Sequence, residues 1–326
     1  MSETPRAPER SGWLDRLAKD AHMVGLAAFY VLLVLFFAFT TGNFFTYSNA
    51  INVLSNITVL GIVALGQTLA IVSGGFDLSV SGTVPLGAVC YVLLTNAGYP
   101  VPQSILMVLG AGAFVGFLNG FIVTKVGISP LITTLGMLSI TAGIALTLSR
   151  GVTLPMRNLD AGFLSEIFFA RISYYVLILV LLCIAIDLLM RYTVYGRTIY
   201  TVGGNPEASR LAGIRVDAVS ISIYVLCAML ATFAGIVVAS QLLAGSANVG
   251  ADVALTSIAA VILGGAALFG GVGTVGGTMM GVLILGTIAN GMALMLVPSF
   301  YQQIANGAIL LLAVGLGRLR GLQFRK

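Results

Sequence analysis

Few side chains in this 326-residue sequence have the types and spacing that bond chemistry needs. There is one histidine, His22, so neither a histidine-based triad nor a histidine metal cluster can be assembled. Cys90, Cys183 and Cys227 lie singly in apolar runs, where cysteine behaves as a small hydrophobe. The lysines are Lys19, Lys125 and Lys326, and none follows a G-x-x-x-x-G-K-[ST] loop, so the chain does not hold ATP by that motif. The run GVGTVG at 271–276 matches G-x-G-x-x-G, but it lies between apolar stretches and no acidic residue follows Asp252 to hold a ribose. A dinucleotide site is rejected. No catalysis, cofactor or metal is expected of this chain.

What remains is a set of polar groups embedded in apolar surroundings. Asp77 sits in GGFDLS, where two glycines break the chain and Ser79 is placed to cap a following helix. A carboxylate at the centre of a membrane helix costs about 2.5–3.5 kcal/mol. Asp77 therefore reads either as an N-cap acid needed for folding or as a residue of gating or partner contact. Asn52, Ser55, Asn56, Gln67, Asn119, Thr133, Thr134, Asn290, Gln302, Gln303 and Asn306 are polar without charge. Interhelical hydrogen bonding accounts for many of them. As a set, they suit a neutral, hydroxyl-rich solute better than an ion. The candidate translocation residues are Asn56, Gln67, Asp77, Asn119, Thr134 and Asn290.

These residues can be positioned only by membrane-spanning helices. Hydrophobic residues make up 58% of the chain and charged residues 8%, with a mean hydropathy of +1.05. That is too little charge to cover a soluble fold of this size. The apolar residues run continuously instead of alternating, which excludes a barrel. A helical span needs about 20 apolar residues. Ten spans are expected, at roughly 22–40, 50–72, 79–95, 103–125, 130–148, 173–190, 217–240, 253–269, 274–296 and 299–317. The third and eighth are short and flanked by glycine, as broken or half-inserted helices would be. Residues 1–21 read as a disordered cytosolic tail, 22–317 as one transmembrane domain and 318–326 as a second cytosolic tail.

The net charge of +5 does not point to nucleic acid, because the cations sit in loops beside spans. With the N-terminus cytosolic, 13 cations fall on the cytosolic side and three, Arg150, Arg157 and Arg171, on the other. Both termini and the 191–217 stretch are then inside.

That stretch, RYTVYGRTIYTVGGNPEASRLAGIRVD, is the one long polar interruption deep in the chain. Gly203 and Gly204 read as a sharp turn, Asn205 as an N-cap and Pro206 as the first helical residue. Glu207 suits the positive end of the helix dipole, and Gly213 stops the helix after Ala212. A short capped helix on the face of a membrane protein is a grip for a cytosolic partner.

Two internal likenesses suggest inverted five-span halves, which commonly frame a transport path. IVSGGFDLSVSGTV (71–84) is similar to VILGGAALFGGVGTV (261–275), and FLNG (117–120) to IANG (288–291). Gly112, Gly116 and Gly120 share a helix face, as do Gly273, Gly277 and Gly281, and such faces let backbones approach.

Five longer stretches carry a family resemblance: GGFDLSV (74–80), NGFIVTKVGISPLITTLGML (119–138), YGRTIYTVGGNPEASRLAGI (195–214), IAAVILGGAALFGGVGTVGGT (258–278) and ANGMALM (289–295). In this order they resemble the permease subunit of bacterial ABC sugar importers of the ribose, xylose and galactose type, from about residue 45 to 317. The resemblance implies an all-α polytopic permease in the inner membrane, surrounded by lipid and paired with a second copy. It also implies a cytosolic ABC ATPase subunit and a periplasmic sugar-binding protein as partners. The ATPase-coupling residues it implies are Gly196, Arg197, Tyr200, Gly203, Gly204, Asn205, Pro206, Glu207, Arg210 and Gly213. The chain departs from the family at Ser81 and Ser209, where Gly and Ala are usual, and at Leu131, where Phe is. It also carries Ala254-Leu255-Thr256 in place of Glu-Leu-Asp, and Asp252 stands near enough to replace the lost acid. On the same scaffold the solute could instead be a nucleoside, a branched-chain amino acid or a furanose signal. An ion-coupled secondary transporter would need acid or histidine relays within the spans, and these are scarce.

The charge bias makes a direct prediction. Cysteine placed at Ser2 should resist an impermeant thiol reagent in intact cells, while cysteine at Asn43 should react. The reverse labelling pattern would overturn the orientation.

Overall fold

Helix α1 (Ser11–Thr40) opens the fold, and residues from Ser11 onward are helical and continuous with the first span. The computed structural model describes residues 11–169, 171–298 and, beyond these, 300–302, 304, 305, 307, 308, 311 and 315. The expected tenth span (299–317), with Gln303 and Asn306, thus lies largely outside the described residues, as do residues 1–10 and 318–326.

Ten further helices follow: α2 (Tyr47–Val72), α3 (Val80–Asn96), α4 (Val101–Phe121), α5 (Pro130–Ser149), α6 (Tyr174–Tyr192), α7 (Val194–Gly204), α8 (Pro206–Leu211), α9 (Val216–Leu242), α10 (Val253–Leu263) and α11 (Val275–Leu294). Among the described residues, seven helices are long and apolar enough to cross a membrane, and α3 and α10 are shorter apolar helices. Nine of the ten expected spans thus coincide with apolar helices. The protein is an all-α polytopic membrane protein. Strand pairing is limited to two small antiparallel ladders, β1 (Leu154–Pro155) with β4 (Ala244–Gly245) and β2 (Ile167–Phe169) with β3 (Ile172–Ser173).

The ends of the helices are fixed by local chemistry. Thr46 accepts the Asn49 N–H at the start of α2. Ser129 accepts the Ile132 N–H and is followed by Pro130 at the first position of α5. A π-helical turn, Ile122–Val126, and Gly127 at φ +81° end the α4 span beside Lys125.

Helices α2 and α9 form the centre. The C-terminal half of α2 is buried without interruption from Gly61 to Val72, and α9 packs against α2, α3 and α4. By contrast, α1, α4, α5 and α6 turn large apolar side chains outward, among them Phe39, Phe114, Ile132 and Leu181. In water such surface would be a liability, whereas hydrocarbon solvates it.

The close contacts run along the glycine faces read from the sequence. A Cβ at Gly112 or Gly116 would collide with Thr232 and with the Tyr224 backbone, and one at Gly120 would lie 2.6 Å from the Ile221 Cα. These contacts make the α4–α9 seam. A Cβ at Gly277 or Gly281 would collide with the carbonyls of Gly264 and Ala260, which sets the α10–α11 hairpin. Helices this close gain dispersion contact that no larger residue allows.

The two sequence likenesses separate in space. The first pair, around 71–84 and 261–275, meets at one end of the bundle, where the Gly271 N–H donates to the Val72 carbonyl at 2.8 Å. A two-fold axis in the membrane plane would send such segments to opposite ends, so this likeness reflects two glycine-broken junctions and does not carry an inversion. The second pair does lie at opposite ends of α2: Asn290 bonds Asn49 in its first turn, and Asn119 joins groups level with Gln67 near its other end.

Replacing Gly116 or Gly277 with Leu forces these seams apart. Each substitution should lower stability by about 1–3 kcal/mol or more, read as a drop in the melting temperature of the detergent-purified protein. Unchanged melting in both variants would show that the seams are not tight.

Candidate functional site

The 191–217 stretch folds as two helices, one packed and one projecting. Thr193 caps α7 by accepting the Gly196 N–H at 3.0 Å, while its own hydroxyl donates to the Leu189 carbonyl at 2.6 Å. Gly196 lies so close to the last turn of α6 that a Cβ would collide with the Leu189 and Met190 carbonyls. Gly196, Ile199, Val202 and Gly203 form the buried face of α7, and Arg197, Thr201 and Gly204 its exposed face. Tyr200 is half-buried and its hydroxyl donates to the Gly273 carbonyl at 2.8 Å. Burial pushes the Tyr200 phenol above its usual range, so it stays a donor.

The sharp turn expected at Gly203–Gly204 is not there. Both glycines are the last residues of α7, and Gly204 has open space where a side chain would go. The chain reverses at Asn205, which is extended at φ −158° and ψ 99°. Asn205 caps α8 by accepting the Ala208 N–H at 3.0 Å, with Pro206 at the first helical position and Glu207 in the first turn. The helix closes in a Schellman motif, in which the Gly213 N–H donates to the Arg210 carbonyl and the Ile214 N–H to the Ser209 carbonyl, with Gly213 at φ +82°. Of the residues of α8 only Ser209 is buried, and Leu211 at its end is 91% exposed.

A ladder of charges orients α8. Glu207 pairs with Arg210 at 2.7 Å, Arg210 reaches Asp217 at 3.4 Å, and Asp217 pairs with Lys125 at 2.5 Å. The pairing of Lys125 with Asp217 is not legible in the sequence; they are 92 residues apart, and no spacing rule links them. The ladder also places the end of α4 and the start of α9 on the same face, as the charge bias requires. A surface depression of about 460 Å³, lined by Lys125, Arg210, Arg215 and Asp217 among others, lies against α8.

The second candidate region is the break between α2 and α3. Gln67 reaches across it: its side-chain N–H donates to the Asp77 carbonyl at 2.6 Å, and its oxygen accepts the Asp77 N–H at 3.2 Å. The Asp77 carboxylate accepts the Ser79 N–H at 2.9 Å and the Ser79 hydroxyl at 2.5 Å. Asn119 donates to the Ser79 oxygen at 2.9 Å, tying α4 to the break. Ser79 therefore does not cap α3 with its side chain. It links Asp77 to Asn119, and Asp77 supplies the cap-like acceptor.

Of the six path candidates, Gln67, Asp77 and Asn119 come together, all fully buried. The others do not join them. Asn290 bonds Asn49 at 3.0 Å near the start of α2, the Thr134 hydroxyl donates to the Pro130 carbonyl at 2.8 Å, and Asn56 is exposed on α2. Asp187 pairs with Arg191 at 2.8 Å, and Asp252 is exposed at the start of α10. No group of three or more metal-ligating side chains occurs among the described residues.

A transmembrane bundle with a capped helix on one face has the build of a transport subunit. The family described as "Branched-chain amino acid transport system / permease component" matches residues 49–314, and the chain belongs to it. Curated relatives include an L-arabinose ABC transporter permease of Azospirillum brasilense, 34% identical over 89% of this chain and 86% of its own length. A ribose import permease of Bacillus subtilis is 33% identical over 93% of this chain and 95% of its own. A fructose import permease of Rhizobium meliloti is 32% identical over 90% of this chain and 84% of its own. No solved structure matches. The chain is thus a multi-pass permease of the ABC importer class, a transport component whose class implies an ATPase and a substrate-binding protein as partners.

The node at the α2–α3 break predicts a contrast between two substitutions. Asp77→Ala leaves the buried Ser79 N–H and hydroxyl without their acceptor and should cost about 1–3 kcal/mol. Asp77→Asn keeps an oxygen for both bonds and should melt close to wild type. Equal loss in the two variants would mean that the charge, not the cap, is what matters.

Proposed function

We propose that this chain carries a monosaccharide or sugar-like solute across the bacterial inner membrane by alternating access, driven by ATP hydrolysis in a separate subunit. The observation that carries the solute class is the chemistry of the buried polar groups. Asp77 is the only charged side chain buried among the described residues, and Ser79 holds it; the rest are amides and hydroxyls. Such groups exchange hydrogen bonds with hydroxyls at little electrostatic cost, whereas a solute with a full charge would meet no counter-charge but Asp77. The names of the arabinose, ribose and fructose relatives support the same reading. The family's own description favours a branched-chain amino acid as the second reading. Its zwitterionic head would need paired charges that the buried set lacks.

In this reading α8 is the docking element for the ATPase. Its caps make it rigid, its exposed end presents Leu211, and the depression beside it presents Arg210 and Arg215 to an acidic partner. Both termini and the face carrying α8 are cytosolic, a periplasmic binding protein delivers solute to the opposite face, and two copies form the permease within the lipid.

The test is ATP-dependent uptake into proteoliposomes holding the permease with its ATPase and binding protein. A labelled pentose or hexose should accumulate and leucine should not; leucine uptake without sugar uptake would overturn the solute class. Leu211→Glu leaves the charge ladder intact and should weaken ATPase co-purification by at least about tenfold. Full retention would remove α8 from the docking surface.

A further inference from the structure

We infer that the node at the α2–α3 break is a binding site for one monovalent alkali cation, held by the Asp77 carboxylate, the Asn119 side-chain carbonyl and the Tyr224 hydroxyl. The ion is the counter-charge that lets a carboxylate stand inside the bundle, whatever solute the permease carries.

Asp77, Ser79 and Asn119 are fully buried, and Tyr224 is 4% exposed. The hydrogen bonds among them fix which atoms remain free. The Ser79 hydroxyl donates to Asp77 Oδ1, which also takes the Ser79 N–H. The Ser79 oxygen is thereby left to accept, so Asn119 must turn its amide N–H toward it and its carbonyl elsewhere. Among the described residues, Asp77 Oδ2, Asn119 Oδ1 and the Tyr224 hydroxyl are buried without a hydrogen-bond partner. They share one neighbourhood. Asn119 is joined to Asp77 through Ser79, and the Tyr224 hydroxyl lies 3.0 Å from where a Cβ on Gly75 would stand, two residues before Asp77. Tyr224 and Cys227, one turn apart on α9, both feel the Asp77 charge.

Three oxygens and one negative charge define the ligand. A buried carboxylate is costly unless an opposite charge balances it. No cationic side chain is buried among the described residues, and the two Ser79 donors are neutral. A water would satisfy the free acceptors but bring no charge. Asp77 Oδ2 and Asn119 Oδ1 can only accept, and the Tyr224 oxygen carries lone pairs of its own. Hard oxygens of this kind suit a hard cation. One carboxylate with two neutral oxygens is too weak a set for zinc or calcium, and a divalent ion would leave a positive charge buried in turn. The single carboxylate therefore selects a monovalent ion. Bound there, the ion ties the α2–α3 break to α4 and α9 at once.

The test is the melting temperature of the detergent-purified permease in sodium, potassium or N-methyl-D-glucamine chloride at equal ionic strength, which holds screening constant. Wild type should melt at least about 3 °C higher in an alkali salt than in N-methyl-D-glucamine, saturably with the alkali concentration. Asp77→Asn keeps the cap and needs no counter-ion, so it should melt alike in all three salts. Tyr224→Phe removes one oxygen and should raise the half-saturating alkali concentration at least about threefold. Should Asp77→Asn not fold, wild type and Tyr224→Phe decide. Equal melting of wild type in the three salts overturns the inference, as does an equal alkali gain in Asp77→Asn or an unmoved half-saturation in Tyr224→Phe. Loss of wild-type stability as pH rises, with no cation effect, would overturn it in favour of a proton on Asp77; Tyr224 and Cys227 are the other titratable groups that face the carboxylate.

Discussion

Interrupting a helix inside an apolar core is the constraint around which this structure is arranged. Every backbone N–H and C=O freed at a break must find a partner, because hydrocarbon offers none. The break at 73–79 answers this with side chains: Gln67 takes both the N–H and the C=O of Asp77, and the Asp77 carboxylate takes the N–H of Ser79. The break at 264–274 answers it with backbone, the Gly271 N–H going to Val72 and the Ala267 N–H to Val272. Breaks satisfied in this way are costly to rearrange piecemeal, so they favour a few discrete arrangements over continuous bending.

The satisfaction of the breaks in turn requires close packing. Asn119 can reach Ser79 only because Gly112, Gly116 and Gly120 let α4 lie against α9 and bring its C-terminal end to the break. Tyr200 can reach the Gly273 carbonyl only because Gly196 lets α7 fold back onto α6. Small residues and polar bonds therefore act together, the first setting the distance at which the second can form.

The spans were legible because the length of an apolar run is the property that a bilayer selects. The α8 helix was legible because its signals are local: Asn205 caps a helix whose third N–H is three residues away, and Gly213 closes it with no help from elsewhere. Helix α7 does not stand out in the sequence as a helix. Its glycines and the β-branched Val194, Thr198, Ile199, Thr201 and Val202 are weak helix formers, and tertiary packing overrides them. The three- and four-residue spacing of Gly196, Ile199, Val202 and Gly203 was the available signal. For the same reason Gly204 resembles a turn residue: two adjacent glycines look alike in sequence, yet Gly203 is required by the Val72 carbonyl and Gly204 by nothing nearby. The path candidates are legible one by one as polar residues in spans, but their sequence positions hold no information on which of them meet. Ser79 proved to be the link, because Asp77 fixes its hydroxyl hydrogen and so leaves its oxygen to accept from Asn119.

The charge ladder beside α8 shows why weak interactions suffice on the outside of such a core. Each of its pairs is about a third or more exposed and contributes only about 0–1 kcal/mol. That is too little to hold a helix in place by itself. The holding is done by the α7–Val72 junction and the Schellman closure, which leave α8 little freedom to begin with. The ladder then needs only to choose among the few orientations that remain, and for that choice a fraction of a kcal/mol per pair is enough. Stiff backbone contact inside and adjustable charge outside thus divide the work: one fixes where α8 begins, and the other sets which way it faces.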